Sequence, residues 1–520
     1  MDKSHVSQGG TVTTRGSGVL IFSKAELCFA ATVAAYLVFY FHYGRFEVTD
    51  ELFFKAAGKN WAETGHFNAP ELTGSLRHAN LPTPVEQVFF LQPPLYPFLF
   101  GVFVKFFGFG WRQCVMYDAM IHVGLMLTTF LLAKTLFSRV LGSEMKTVPL
   151  WVRIVPALMT MPLIQAGRPD ELAMALGMAG LLLLLRDLSV TRIAVSAAFF
   201  GFSCATSAGA SIELGLVVSG LIFLSNASVR EKIKYAAIWV LFCTGTLSLL
   251  LSPILIKYPA AYRQYLNLTQ KYLFKMSPSA LSFAFQFGKP YFFLISAALC
   301  VAACGLWARV GLFGVRSLAS LWLGTLSAII FALYALPGKY TYLWFILPVL
   351  MTTAFVSALY VVRYSGRNGL RLVFVMIALF ALSAYAWSVR DVLVLIGLNH
   401  EQRPEYNEQR LKEIMPAGAG VALQSGWWFL SNRVNAYDAM FSNKKDLSDI
   451  DYIILSATGS GTPGQPQPPA NPRYRELLSE KFEPMYDNLP TGANKILGLP
   501  LSRSGNGFGV IVYKRRHSGA

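Results

Sequence analysis

Residues 235–254 read YAAIWVLFCTGTLSLLLSPI, a run of twenty positions without a charged side chain. A helix needs about 20 apolar residues to cross the hydrocarbon core of a bilayer. Ten further stretches have a similar composition: Leu27–Tyr43, Met116–Phe137, Pro149–Gln165, Leu172–Leu185, Ile193–Ala208, Leu214–Leu224, Tyr291–Trp307, Leu318–Ala335, Leu343–Val362 and Leu372–Trp387. The pattern predicts an all-α polytopic membrane bundle of about 11 transmembrane helices.

The composition of the chain excludes the main soluble classes. Of its 520 residues, 54% are hydrophobic and 14% are charged, whereas average soluble domains carry about 25% charged residues. A soluble enzyme and a disordered chain are both excluded by this apolar content. The net charge of +17 is not accompanied by zinc-finger spacing or an RNP-like run, so no nucleic-acid partner is predicted.

The basic residues between the apolar stretches indicate the orientation of the chain in the membrane. With residues 1–24 as a cytoplasmic tail, Lys and Arg accumulate in every second connection, as the positive-inside rule requires. Pro94–Phe107 is therefore assigned to the membrane interface, because a crossing there would place most basic loops outside. The basic residues expected in the cytoplasm are Lys3, Arg15, Lys24, Arg139, Lys146, Arg186, Arg192, Arg230, Lys232, Lys234, Arg309, Arg316, Arg363, Arg367 and Arg371.

Residues 25–388 form the predicted transmembrane domain, with large outer loops at 44–92 and 257–289. The composition changes after Val389, and residues 389–520 are predicted to form a small extracytoplasmic α/β domain. The elements expected there are one helix and three short strands: Glu405–Met415, Val421–Leu423, Tyr452–Leu455 and Val510–Tyr513. The Gly/Pro/Gln stretch Gly459–Pro472 is expected to be a loop. We expect the chain in the plasma (inner) membrane.

Four polar blocks lie at the predicted outer face: EVTDE at 47–51, LQPPLYP at 91–97, AGRPDEL at 166–172, and GKYTY at 338–342 followed by FILP at 345–348. In this order they resemble the motifs of the type C superfamily of membrane glycosyltransferases. The similarity is greatest to the bacterial branch that contains the lipid A aminoarabinose transferases, the rhizobial lipopolysaccharide-core transferases and the protein mannosyltransferase-like enzymes. It covers roughly residues 25–360.

The resemblance implies transfer of a sugar from a polyprenyl-phosphate carrier to an extracytoplasmic lipid, lipopolysaccharide, polysaccharide or protein. It gives Asp50 the role of general base, because a sugar hydroxyl becomes a better nucleophile when a carboxylate removes its proton. Glu51 would shape the site through hydrogen bonds. Asp170 would position the acceptor or tune Asp50.

The leaving phosphate carries negative charge, which calls for a cation. The candidate phosphate partners are Arg168, Lys339 and Arg263, with Gln92 and Tyr340 as further donor-binding residues. Relatives often carry Lys or His at the position of Gln92, whose neutral amide cannot neutralise a phosphate. Either Lys339 or Arg263 substitutes for that cation, or the donor is handled differently.

Simpler interpretations of these residues stay open at the level of sequence. Asp50 is also a good N-cap for a helix that begins at Glu51. The run Pro169-Asp170-Glu171 has the composition of a helix start, where Pro and acidic residues are favoured. Arg168 could serve as an interfacial anchor, and Lys339 could extend its ammonium to the interface.

Two further alternatives concern ligands and function class. No cofactor is predicted with certainty, and a divalent metal held by His66, His78 and Asp50 stays open. The pair Trp427-Trp428 could stack on a glycan or pack in a core.

The rival function is a lipid or glycan transporter, which would show paired half-repeats and ionisable residues near the midplane of the membrane. Here the acids of the motifs cluster at one face, which favours the enzyme.

Overall fold

The computed structural model describes residues 23–43, 51–72, 84–90, 93–141, 150–160, 167–186, 188–259, 263, 316–335, 347–365, 396, 400–423, 428, 430–431, 434–438, 449–456, 476, 478, 480–488, 495–496, 499–500 and 509–516. The helices in these ranges are α1 Lys24–Tyr43, α2 Glu51–Thr64, α3 Leu95–Phe107, α4 Trp111–Leu141, α5 Leu150–Thr160, α6 Asp170–Arg186, α7 Val190–Cys204, α8 Ala208–Phe223, α9 Val229–Lys257, α10 Arg316–Ala335, α11 Leu347–Ser365 and α12 Pro404–Ile414. The strands are β1 Gly420–Leu423, β2 Asn435–Asp438, β3 Tyr452–Ser456, β4 Phe482–Asp487, β5 Lys495–Ile496, β6 Leu499–Pro500 and β7 Val510–Arg515.

Three helices in the described part of the chain are long and apolar enough to cross a membrane: Lys24–His42, Trp111–Val140 and Val229–Lys257. Other apolar helices are shorter, among them Val190–Cys204 and Ser211–Phe223. Two predicted spans, Tyr291–Trp307 and Leu372–Trp387, lie outside the described residues. The chain is thus a mainly helical protein with apolar helices, and the number of about 11 crossings stays a prediction.

Apolar faces of α4, α6, α7, α8 and α10 form the helical core, which includes Leu136, Met178, Leu181, Val217 and Trp322. Glycine lets two of these helices approach closely. A Cβ atom at Gly324 on α10 would lie 2.5 Å from the Cα atom of Val217 on α8. Small residues at such crossings are typical of helices that pack within a membrane.

A second close crossing joins α2 to α3. A Cβ atom at Gly58 would lie 1.9 Å from the carbonyl oxygen of Pro97, and one at Gly101 would lie 2.5 Å from the carbonyl oxygen of Gly58. The 13 residues of α3 rise by about 20 Å, which is less than the thickness of the hydrocarbon core. This length is compatible with the interfacial position predicted for Pro94–Phe107.

The C-terminal region contains a five-stranded sheet of order β2-β1-β3-β7-β4. The inner strand β1 pairs in parallel with β2 and β3, whereas β7 pairs antiparallel with β3 and β4. The predicted helix and three predicted strands are present as α12, β1, β3 and β7. Strands β2 and β4 and the β5–β6 pair were not predicted, and Gly459–Pro472 lies outside the described residues.

This sheet shares one hydrophobic core with α2, α3 and α4. The buried ring of Trp428 lies 6.1 Å from the ring of Phe100 and 4.8 Å from the ring of Phe109. The carboxylate of Glu408 on α12 accepts a hydrogen bond of 3.4 Å from the backbone N–H of Trp111. Trp428 is therefore a core residue, and the sheet packs on the end of the bundle where α4 begins.

Candidate active site at the start of α2 and α6

Helix α2 begins with the last residue of the first polar block. Its first ten residues, Glu51 to Asn60, are all buried, although Glu51, Lys55 and Lys59 lie one turn apart along one face of the helix. Lysine and glutamate are rarely buried unless they are paired. The partners of these three side chains therefore indicate what surrounds the helix.

Lys55 joins α2 to α4. Its ammonium donates to a carboxylate oxygen of Glu51 at 2.5 Å and to a carboxylate oxygen of Asp118 at 2.8 Å. The Lys55 side chain has no exposed surface, and its nitrogen also lies 5.1 Å from the ring centroid of Phe100 and 5.4 Å from that of Tyr117. The Glu51 carboxylate is thus held in place at the start of α2.

Lys59 and Asn60 hold the segment that follows α2. The ammonium of Lys59 lies 3.2 Å from a carboxylate oxygen of Glu71 and 3.2 Å from one of Glu63. The Asn60 amide donates to the other Glu71 oxygen at 2.9 Å and to the backbone carbonyl of Asn68 at 3.0 Å. Residues 65–72 are therefore folded back onto the helix.

Asp170 begins α6 and is 7% exposed. Its two carboxylate oxygens accept hydrogen bonds from Arg168 Nε at 3.0 Å and from Ser207 Oγ at 2.9 Å. Gly167 has a φ of +81°, a conformation that glycine adopts without strain. The Arg168 guanidinium lies 5.5 Å from the ring centroid of Phe54 on α2, so the AGRPDEL block packs against the helix that follows the EVTDE block.

Tyr96 of the LQPPLYP block is fully buried, and its ring centroid lies 5.7 Å from that of Tyr117 on α4. Burial raises the pKa of the Tyr96 phenol well above its usual value. The Asp118 carboxylate, the Tyr117 phenol and the carboxylates of Glu51 and Glu171 raise this pKa further, because each disfavours a phenolate nearby. Helix α2, which begins with the last residue of EVTDE, meets LQPPLYP at Pro97 and AGRPDEL at Arg168, so the three blocks share one neighbourhood.

Of the remaining predicted site residues, only Arg263 belongs to the described part of the chain. The Arg263 side chain is exposed. Asp50, Gln92, Lys339 and Tyr340 lie outside the described residues, although Asp50 immediately precedes Glu51 in the sequence. The fourth block, GKYTY, is outside them as well.

The described residues contain no group of three His, Cys, Asp or Glu side chains placed to hold a metal ion. His66 is exposed, and its proposed co-ligands His78 and Asp50 lie outside those residues. The metal alternative therefore stays untested.

Several residues of the site were not identified from the sequence, notably Lys55, Asp118 and Ser207. Asp118 could have been identified from the sequence, because it lies within the predicted span Met116–Phe137. An ionisable residue inside a transmembrane span is by default a candidate for function. Lys55 follows Glu51 by four residues, which places the two side chains on one helix face. No local pattern pointed to Ser207 as the donor to Asp170, because the two residues are 37 positions apart.

Comparison with known proteins complements this geometry. No protein-family model and no curated protein sequence matches the chain. Among solved structures, ArnT from Cupriavidus metallidurans in the apo state is similar over 94% of this chain and 98% of that chain, with a TM-score of 0.55 and 14% sequence identity. The chain has the fold of ArnT. A structure of the same protein bound to undecaprenyl phosphate matches with a TM-score of 0.44 and 11% identity over 94% and 97% of the two chains.

Proposed function

We propose that the chain is an integral membrane glycosyltransferase that uses a polyprenyl-phosphate-linked sugar as donor. The acceptor is an extracytoplasmic lipid, lipopolysaccharide, polysaccharide or protein. The observation that carries this proposal is the contact of EVTDE, LQPPLYP and AGRPDEL through α2, because the resemblance to type C glycosyltransferases assigns all three blocks to one active site. The fold shared with ArnT, a type C glycosyltransferase, supports the same class.

Asp50 acts as the general base in this proposal. The acceptor hydroxyl oxygen forms a bond to the anomeric carbon of the sugar, and the Asp50 carboxylate takes the hydroxyl proton. The bond between that carbon and the carrier phosphate breaks, and the phosphate leaves with the electron pair. The contacts of Lys55 with Glu51 and Asp118 support this role, because they anchor the residue that follows Asp50.

Asp170 acts as a positioning residue that orients the acceptor or tunes Asp50. Its hydrogen bonds to Arg168 and Ser207 leave its carboxylate little freedom to reorient. Arg168, Lys339 and Arg263 are the candidate cations for the donor phosphate, with Gln92 and Tyr340 as further contacts. Arg168 binds Asp170 through Nε, and the fork of a guanidinium suits it to bridge two oxyanions.

The site faces the extracytoplasmic side of the plasma (inner) membrane in this proposal. Helix α6 runs from Asp170 at the acidic end to Arg186 at the other, so the basic connections lie away from the candidate site. Residues 389–520 are proposed to share the outer side, which agrees with the contact of Glu408 with the start of α4. Basic residues are retained preferentially in the cytoplasm.

A lipid or glycan transporter remains the second candidate, and Glu213 on α8 favours it. Its side chain has no exposed surface, and within the part of the chain that the structure describes neither carboxylate oxygen has a hydrogen-bond partner. Buried acids inside apolar helices often belong to proton relays in transporters. An enzyme converts the donor into a glycosylated acceptor and free polyprenyl phosphate, whereas a transporter leaves the donor intact. One assay therefore separates the two functions.

The deciding experiment uses the purified full chain in phospholipid vesicles with radiolabelled polyprenyl-phosphate sugars, including hexoses and pentoses, and an envelope extract as acceptor. The enzyme predicts that label moves to the acceptor while free polyprenyl phosphate forms in equal amount. Asp50→Asn serves as the matched control, and nucleotide sugars should not replace the lipid-linked donor. Movement of intact donor across the bilayer without transfer would instead establish the transporter.

A further inference from the structure

A cavity lies at the end of the helix bundle opposite the candidate active site. It is bordered by the last turns of α4, α6 and α8 and by the first turns of α9 and α10, and its volume is about 440 Å³. Asp170 and Ser207, by contrast, lie where α6 and α8 begin. The 17 residues of α6 rise by about 25 Å, so the cavity is separate from that site.

The cavity has an apolar floor and a polar rim. Leu184, Leu185 and Leu221 form part of the floor, while Arg139, Asn226 and Tyr235 contribute polar groups. A volume of this size falls within the range of roughly 300–1,000 Å³ that is usual for small-molecule sites. The lining therefore suits a ligand with one charged group and adjoining apolar surface.

The charge at this end of the bundle favours an anion. Arg139 is exposed, and its guanidinium donates to the backbone carbonyl of Arg186, which fixes its position at the rim. Arg186 and Arg230 are exposed as well, and they are the sequence neighbours of the lining residues Leu185 and Glu231. The one acid of the lining, Glu231, accepts hydrogen bonds from the backbone N–H and the hydroxyl of Ser228, so it is engaged in capping α9.

The outer surface of α9 distinguishes a lipid from a soluble anion. Phe242 and Leu249 on this helix are 47% and 73% exposed. Both lie on the helix face that carries the lining residue Tyr235. An apolar helix face of this kind is expected to contact acyl chains. A phospholipid with its phosphate at Arg139 would lay its acyl chains along this face of α9.

The geometry points to a binding site for an anionic glycerophospholipid in this cavity. Basic pockets between transmembrane helices on the cytoplasmic side are known to accept such head groups. The site does not depend on the proposed sugar transfer, because none of its residues belongs to the candidate active site.

The test measures binding of phosphatidylglycerol to the purified full chain in detergent by native mass spectrometry and by the shift in Tm. Phosphatidylglycerol should raise Tm, whereas phosphatidylcholine and inorganic phosphate should leave it unchanged. Arg139→Gln should weaken phosphatidylglycerol binding about fivefold, which is the effect expected of one basic residue near a membrane surface. The matched control Lys234→Gln removes the same charge outside the lining and should weaken binding much less.

Ala227→Trp tests the cavity as the binding site without a change in the charge of the protein. Ala227 lines the cavity, so a bulky side chain there should abolish the Tm shift even if Arg139→Gln folds poorly. Stabilisation by inorganic phosphate alone would overturn the assignment to a lipid. Equal stabilisation by phosphatidylcholine, or unaltered phosphatidylglycerol binding by Ala227→Trp, would overturn the site itself.

Discussion

The ammonium of Lys55 on α2 lies 2.8 Å from a carboxylate oxygen of Asp118 on α4, 63 residues later in the chain. The same ammonium binds Glu51 at 2.5 Å. A buried lysine thus connects the first polar block to a helix that is long enough to span the membrane. The position of Glu51, which follows Asp50 in the sequence, depends on this connection.

Lys55→Met should destabilise the protein strongly. Removal of one partner from a buried ion pair costs about 3–5 kcal/mol, because the remaining carboxylates stay buried without their cation. Thermal unfolding of the purified chain measures this effect. Arg410→Met is the control, since Arg410 pairs with Glu413 where both side chains are about half exposed, and such pairs contribute about 1 kcal/mol or less. Equal losses of stability would contradict the role of Lys55.

Gly58→Ala should disrupt the packing of α2 against α3. The added methyl group would meet the carbonyl oxygen of Pro97 at 1.9 Å, and overpacking of this kind costs about 1–3 kcal/mol or more. Gly124→Ala is a matched control, because a Cβ atom at Gly124 on α4 meets nothing within 4 Å. That control should be neutral or slightly stabilising. Comparable Tm values for the two variants would show that α2 and α3 do not cross at Gly58.

Ser207→Ala tests Asp170 as a positioning residue. The substitution removes the hydroxyl that donates to the Asp170 carboxylate at 2.9 Å, and a hydrogen bond to a charged group contributes about 1.5–3 kcal/mol. We expect sugar transfer to fall about tenfold or more in kcat. Ser219→Ala, on the exposed side of the same helix, should leave transfer unchanged. A loss of stability with unchanged kcat would assign Ser207 a structural role only.

The elements that the sequence predicted correctly are those with a strong local pattern. The long apolar runs became α1, α4 and α9, and the apolar strands β1, β3 and β7 form the interior of the sheet. The edge strands were missed for physical reasons. β2 reads NAYD, and β4 contains Pro484 beside a register shift, which an edge strand tolerates.

The candidate site was only partly predictable for a related reason. The order of the polar blocks indicated that the acids of EVTDE and AGRPDEL belong together. The residues that hold those acids, Lys55, Asp118 and Ser207, are long-range partners. No local periodicity specifies which buried cation or hydroxyl reaches a given carboxylate.

The orientation of the chain can be tested by labelling introduced cysteines in intact cells, in a background without the native cysteines. His66→Cys and Ser460→Cys should react with an impermeant thiol reagent, because the positive-inside rule places both positions outside. Lys234→Cys lies at an exposed position near the start of α9. It should react with the reagent only after the membrane has been permeabilised. Labelling of Lys234→Cys together with protection of His66→Cys would reverse the topology.

The most direct test of the proposed mechanism is the rate of sugar transfer by Asp50→Asn. Asn caps a helix about as well as Asp, so this variant should express and unfold like the wild-type protein. Loss of the base should lower transfer by roughly 10²-fold or more, whereas Glu51→Gln and Asp170→Asn should cause smaller losses. Transfer by Asp50→Asn at a near-wild-type rate would contradict the account and place the base elsewhere, with Asp170 as the next candidate.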